Sequence, residues 1–134
     1  MMLLLDSHVL VWLAAGHPQL GARAGRAIDK ALIGDGVAVS SFSYWEIETL
    51  VLKKRIRGLS SAEELRSQAV ALGLIELEVD GAIAIAAARL RAFHGDPADR
   101  ILVATAQSRH ATLVTADQSL LEWRSGLRTL DATH

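Results

Sequence analysis

Short apolar runs alternate along the chain with longer stretches of helical period. Met2–Leu5 is an unbroken apolar run of strand length. An apolar helix follows from Ser7 to about Ala15, with Gly16 as its stop. Leu20, Ala24, Ala27, Ile28 and Ala31 recur on one helical stripe, and Gly34 and Gly36 bracket a turn into a second strand, Val37–Ser40. The pattern then predicts a helix from about Ser43 to Arg55 and another from Ala62 to Leu72. A third strand is expected over Ile75–Val79, where Glu76 and Glu78 alternate as on a sheet edge or an exposed face. Asp80 stands where it can cap a helix whose face carries Ile83, Ala87, Leu90 and His94, beside Phe93. Asp96-Pro97 combines an N-cap with proline at the first helical position, and that helix should run to about His110. Thr112–Thr115 reads as a strand, Gln118–Trp123 as a short helix and Arg128–Leu130 as a last strand.

Strands alternating with helices imply an α/β fold, a three-layer sandwich with a mostly parallel central sheet flanked by helices. No repeat, low-complexity tract or Pro/Ser-rich linker interrupts the pattern, so residues 1–134 are expected to form one domain. Composition narrows the class further. Hydrophobic residues make up 51% and the net charge is −1, which excludes a disordered chain. Cysteine is absent, ruling out disulfides, thiol catalysis and thiolate zinc sites. The apolar runs fall short of a membrane span, and no basic segment precedes Met1–Leu5. A soluble, cytoplasmic protein is therefore expected. The balance of 14 Lys and Arg against 15 Asp and Glu gives no sign of a nucleic-acid partner.

In an open α/β sheet, ligand sites lie beyond the carboxyl ends of the strands. A carboxylate stands at almost every such junction here. Asp6 ends the first strand, Glu46 falls in the first turn of the helix after the second, Asp99 lies in the first turn of the helix begun by Asp96-Pro97, and Asp117 follows Thr112–Thr115. Each has a structural explanation: Ser43 and Glu46 have capping-box spacing, Asp99 suits a helix dipole, and Asp6 and Asp117 can cap helices. Gathered at one sheet edge, four carboxylates repel, and a divalent cation gives the group a purpose. Hard oxygen ligands without cysteine suit Mg²⁺ or Mn²⁺.

Asp6-Ser-His, Ser-Tyr-Trp-Glu46, His-Gly-Asp-Pro-Ala-Asp99-Arg and Thr-Ala-Asp117 resemble, in order and spacing over essentially the whole chain, the PIN-domain ribonucleases. The resemblance is to their VapC-type toxins from bacterial toxin–antitoxin pairs. It implies a PIN-like fold and a metal-dependent endoribonuclease that hydrolyses RNA with Mg²⁺ or Mn²⁺. Asp6 and Asp99 become the expected direct metal ligands, and Glu46 and Asp117 further ligands or holders of water. The partners implied are an RNA substrate, a cognate antitoxin that occupies the cleft, and a second copy of the chain in a homodimer.

Secondary candidates are Asp96, a helix cap first and a fifth acid second; Ser7 and Thr115, whose hydroxyls flank the acids; and Arg100, expected in a salt bridge with a neighbouring acid. Lys53, Lys54, Arg55 and Arg57 form the one dense basic run, either a solvated face or a track for RNA phosphates. Trp12 is expected in the core, Trp45 is undecided, and His8 and His94 fall within the site motifs. Three other functions compete. A phosphoacceptor receiver needs a lysine late in the sheet, but the last lysine is Lys54. Nucleotide-binding enzymes are disfavoured by the absence of a phosphate-binding glycine motif. A catalytically silent PIN-like interaction module is the alternative, weakened by the presence of all four acids. Without those acids the rest of the chain has a basic surplus, so the neutral total averages two regions of opposite sign.

Overall fold

Five strands among the described residues, Leu3–Leu5 (β1), Val37–Ser40 (β2), Ile75–Leu77 (β3), Thr112–Thr115 (β4) and Thr129–Asp131 (β5), form one sheet in the order β3-β2-β1-β4-β5, every neighbouring pair parallel. The computed structural model describes residues 1–91, 93, 95–123 and 126–134. In chain order the elements are β1 (Leu3–Leu5), α1 (Ser7–Ala15), α2 (Ala22–Leu32), β2 (Val37–Ser40), α3 (Ser41–Leu52), α4 (Ala62–Leu72) and β3 (Ile75–Leu77). They continue with α5 (Gly81–Arg89), α6 (Pro97–Ser108), β4 (Thr112–Thr115), α7 (Gln118–Glu122) and β5 (Thr129–Asp131). The expected mostly parallel sheet is thus wholly parallel. His94, expected on an apolar helix face, lies outside the described residues.

Alternation along the central strand builds the three layers. Leu3 and Leu5 of β1 point to one side with Val37, Val39 and Val114, where α1, α2, α3 and α4 bury Val9, Leu10, Ile28, Ile47 and Leu65. Leu4 points to the other side with Ala38 and Leu113, where α6 and α7 bury Leu102, Val103, Ala106 and Leu120. Because helices cover both faces, the inner strands read as continuous apolar runs. Truncating a fully buried leucine such as Leu4 or Leu113 to alanine costs about 2–5 kcal/mol. As the acidic alternation suggested, β3 is an edge strand. It stops at Leu77 rather than Val79, and Arg66 of α4 holds Glu76 in a bidentate ion pair at 2.8 and 3.1 Å.

Two element starts decide where the acids stand. Helix α3 begins at Ser41, earlier than the periodicity indicated, because Ser40 at the end of β2 accepts the Phe42 N–H at 3.2 Å and is the true cap. The Ser43–Glu46 capping box therefore does not form. Ser43 is buried inside the helix, and Glu46 belongs to its second turn. Helix α6 starts as expected, with Asp96 accepting the Asp99 N–H at 2.8 Å and Pro97 at its first position.

Candidate active site

The winding of the sheet reverses between β1 and β4, the topological switch point at which α/β sheets hold ligands. A cleft of about 400 Å³ opens there, lined by Asp6, His8, Trp12, Glu46, Asp96, Asp99, Ala116 and Asp117. All four acids singled out in the sequence are on its wall, and Asp96 joins them. A small recess beside Glu46 and Asp99 is lined by Ser7, Ser40 and Ser43, all three buried.

The carboxylates are held in different ways. Asp6 sits at the N-cap of α1 but gives the helix no side-chain hydrogen bond. Instead its Oδ2 accepts from the buried Thr115 hydroxyl at 2.6 Å, and Thr115 Oγ1 in turn accepts the Asp117 N–H at 3.0 Å. Asp117 does cap its helix: Oδ1 accepts from the Ser119 N–H at 2.9 Å and the Ser119 hydroxyl at 2.7 Å. Asp96 spends Oδ1 on capping α6, which presents Asp99 one turn further in. Burial, and after it the negative charges of Asp96, Asp6, Asp117 and Glu46, push the Asp99 carboxyl up to about 7.

Other expectations change. Among the described residues Arg100 makes no salt bridge with a carboxylate. Its guanidinium donates to the backbone carbonyls of Ala87, Ala88, Leu90 and Phe93 at 2.7–3.1 Å and lies 5.9 Å from the Phe93 ring centre. Trp12 is not simply core. It is half-buried, packs on the apolar cluster with one part, lines the cleft with another, and stacks on His17 at 6.0 Å. Trp45 is 62% exposed beside Phe42. Lys53, Lys54, Arg55 and Arg57 are exposed, seven or more residues beyond Glu46, hence about 10 Å or more further along the chain's path.

The donor set fits a hard divalent cation. The cleft offers carboxylate oxygens, its described lining includes no Lys or Arg to neutralise them, and Arg100 is turned elsewhere. Among the described residues, no group of three or more His, Asp or Glu side chains is already arranged to hold a metal ion. The carboxylates share a wall and would have to draw in to hold an ion.

The PIN-domain family profile matches residues 3–132. Ribonuclease VapC22 of Mycobacterium tuberculosis is 34% identical over 125 residues, covering 90% of this chain and 91% of that protein. Among solved structures, the chain is similar to VapBC2 from Rickettsia felis bound to a promoter DNA fragment (TM-score 0.71, 18% identity, 97% and 98% of the two chains). It is likewise similar to FitAcB from Neisseria gonorrhoeae (TM-score 0.69, 22% identity, 99% of both chains). Those two likenesses establish the fold, and the family profile with the 34% identical relative establishes kinship. The chain belongs to the PIN-domain family and, within it, to the VapC ribonucleases.

Proposed function

We propose that this VapC-type ribonuclease toxin works through Asp6, Glu46, Asp99 and Asp117 as its catalytic carboxylates, with Mg²⁺ or Mn²⁺ as cofactor. Asp6 and Asp99 hold the cation directly, and Glu46 and Asp117 complete its surroundings. When bound, the cation supplies Lewis-acid stabilisation of charge building on the scissile phosphate and eases deprotonation of the attacking water. The rest falls to the chain's own side chains. Thr115 fixes one oxygen of Asp6 and the backbone before Asp117, Asp96 fixes the turn that presents Asp99, and Ser7 borders the recess beside Glu46. No ribose hydroxyl attack is required, so the expected products are a 5′-phosphate and a 3′-hydroxyl.

One observation carries this reading: the cleft at the switch point gathers five carboxylates, and its described lining contains no lysine or arginine. The test is cleavage of structured and unstructured RNA by partner-free protein in Mg²⁺, in Mn²⁺ and in chelator, beside Asp6→Asn and Asp99→Asn. Cleavage that persists in chelator or in both variants overturns it. No cleavage and no metal binding by the wild type favours the interaction module.

The partners follow as parts of the same proposal. RNA phosphates run over Lys53, Lys54, Arg55 and Arg57, away from the acids. A cognate antitoxin occupies the cleft, with an apolar segment in the groove between α1 and α4 that Val11, Ala14, Leu59 and Leu65 line. This reading draws support from a further solved structure of the same fold, a toxin–antitoxin complex from Klebsiella pneumoniae. A homodimer covers Trp45 and Leu52, exposed at 62% and 77% on α3. No described helix is long and apolar enough to cross a membrane. RNA as substrate assigns the reaction to the cytoplasm.

A further inference from the structure

We propose that Arg100 is a positioning residue: it straps the connection between α5 and α6 so that Asp99 is delivered to the cleft in a fixed place. This rests on the reading of Asp99 as a cation-holding carboxylate.

The last carbonyls of a helix have no partner inside it. At the end of α5, Arg100 reaches back from the next helix and donates to its carbonyls, with Nε on Ala87 at 3.0 Å, where the Leu90 N–H also bonds, Nη2 on Ala88 at 3.1 Å, and on Leu90 just past the helix at 3.0 Å. Nη1 takes the Phe93 carbonyl at 2.7 Å. One planar fork thus binds four carbonyls, two in the last turn of α5 and two beyond its end. A lysine ammonium, a single point with three donors, cannot span them.

The strap passes its constraint on to Asp99 through Phe93. Phe93 is buried, its ring packs at 5.1 Å against Trp123, and the guanidinium lies over it. Gly95 fits under that ring so closely that an added Cβ would lie 2.5 Å from Phe93 Cε1 and Cζ and 3.0 Å from the Asp99 Cβ. Asp96 then caps the Asp99 N–H. Arg100 is thus bonded to Phe93, and Phe93 and Asp99 both crowd Gly95, where even a methyl group has no room, so a shift in the first is passed towards the last. Supports of this kind around a metal ligand typically change metal affinity by about 10–100-fold.

The experiment compares Arg100→Lys with the wild type, and adds Gly95→Ala, which leaves all four Arg100 hydrogen bonds possible but presses on Phe93 and Asp99. Three readouts are taken well below the melting temperature: amide hydrogen exchange over residues 90–100 without metal, Mn²⁺ affinity by calorimetry, and kcat and KM on RNA. Both variants are expected to exchange faster at Asp99 and Arg100, to bind Mn²⁺ about tenfold more weakly, and to lose kcat while KM holds. Unchanged exchange overturns the strap. Faster exchange with wild-type Mn²⁺ affinity and kcat overturns its link to Asp99. If wild-type protein takes up no Mn²⁺ while exchange still rises in Arg100→Lys, the strap is supported and the cation reading of the cleft is what falls.

Discussion

The Thr115 hydroxyl donates to Asp6 Oδ2 at 2.6 Å, joining the carboxyl ends of the two strands between which the sheet reverses its winding. The same oxygen accepts the Asp117 N–H, so one buried hydroxyl sets two of the four carboxylates. Thr115→Val keeps the shape but removes donor and acceptor together. Stability is expected to fall by about 1–3 kcal/mol, the cost of unsatisfied buried polar groups, and RNA cleavage by at least tenfold. Thr115→Ser, which keeps the oxygen, is expected to retain most of both. Thermal melts and initial cleavage rates decide it.

Without metal, the protein should lose stability as pH rises. The folded-state pKa of Asp99, about 7, lies above its ordinary 3.8, so between those values the folded chain binds more protons than the unfolded chain. The cost of burying the Asp99 charge, with the repulsion of its neighbouring acids added, therefore grows through this window and is complete above about pH 7. Asp99→Asn removes the charge. It is expected to be more stable than wild type at pH 8 in chelator by on the order of 1 kcal/mol, after solvent screening of a half-buried group, and equal to it near pH 4. Urea unfolding at the two pH values, with cleavage assayed alongside, would show a variant gaining stability while losing activity.

Metal should reverse that pH trend. With the proposed Mg²⁺ or Mn²⁺ binding the ionised cleft, added cation should raise the melting temperature more at pH 8 than at pH 5, and chelator should cancel the gain. At a hundred times its dissociation constant the cation contributes about 2.7 kcal/mol. Asp6→Asn should abolish most of this gain. An equal shift in that variant and in wild type would place the cation elsewhere.

Charge reversal at Lys53 and Lys54 separates RNA holding from chemistry. The double variant Lys53→Glu, Lys54→Glu is expected to raise KM several-fold with kcat preserved and to flatten the salt dependence of binding. Binding of a short RNA at two salt concentrations, measured in an Asp99→Asn background, checks the slope. A fall in kcat alone would remove the run from the RNA path.

Trp45→Glu with Leu52→Glu tests the dimer. Both side chains are exposed, so the fold should persist while the sedimenting mass drops to that of one chain. Sedimentation velocity of wild type and variant distinguishes a dimer face from a solvent-exposed one.

Much of this arrangement was legible in the residues because it follows local rules. Apolar run lengths marked the strands, Asp96-Pro97 marked the start of α6, and four carboxylates at strand ends marked the cleft. What escaped the sequence was decided by contacts remote in the chain or by competition between neighbours. Ser40 and Ser43 both suit a cap, and only the register of β2 shows that Ser40 takes the role. Helix α1 is apolar almost all round, so periodicity gave Trp12 no direction and left its cleft-facing part hidden. Arg100 has an acid as its sequence neighbour, which made an ion pair the natural expectation. Its guanidinium goes instead to carbonyls at and beyond the end of α5, visible only once the helices are packed.

The strand order has one more consequence. Asp6 follows the first strand and Asp117 the fourth, yet β1 and β4 are neighbours, and the hydroxyl linking the two acids arrives with β4. A nascent chain halted before Thr112 has the first acid but neither its anchor nor its partner across the cleft. The proposed RNA cleavage is then a capacity the molecule acquires late in its own synthesis, and ribosome-stalled fragments ending before β4 should leave RNA intact and take up no Mn²⁺.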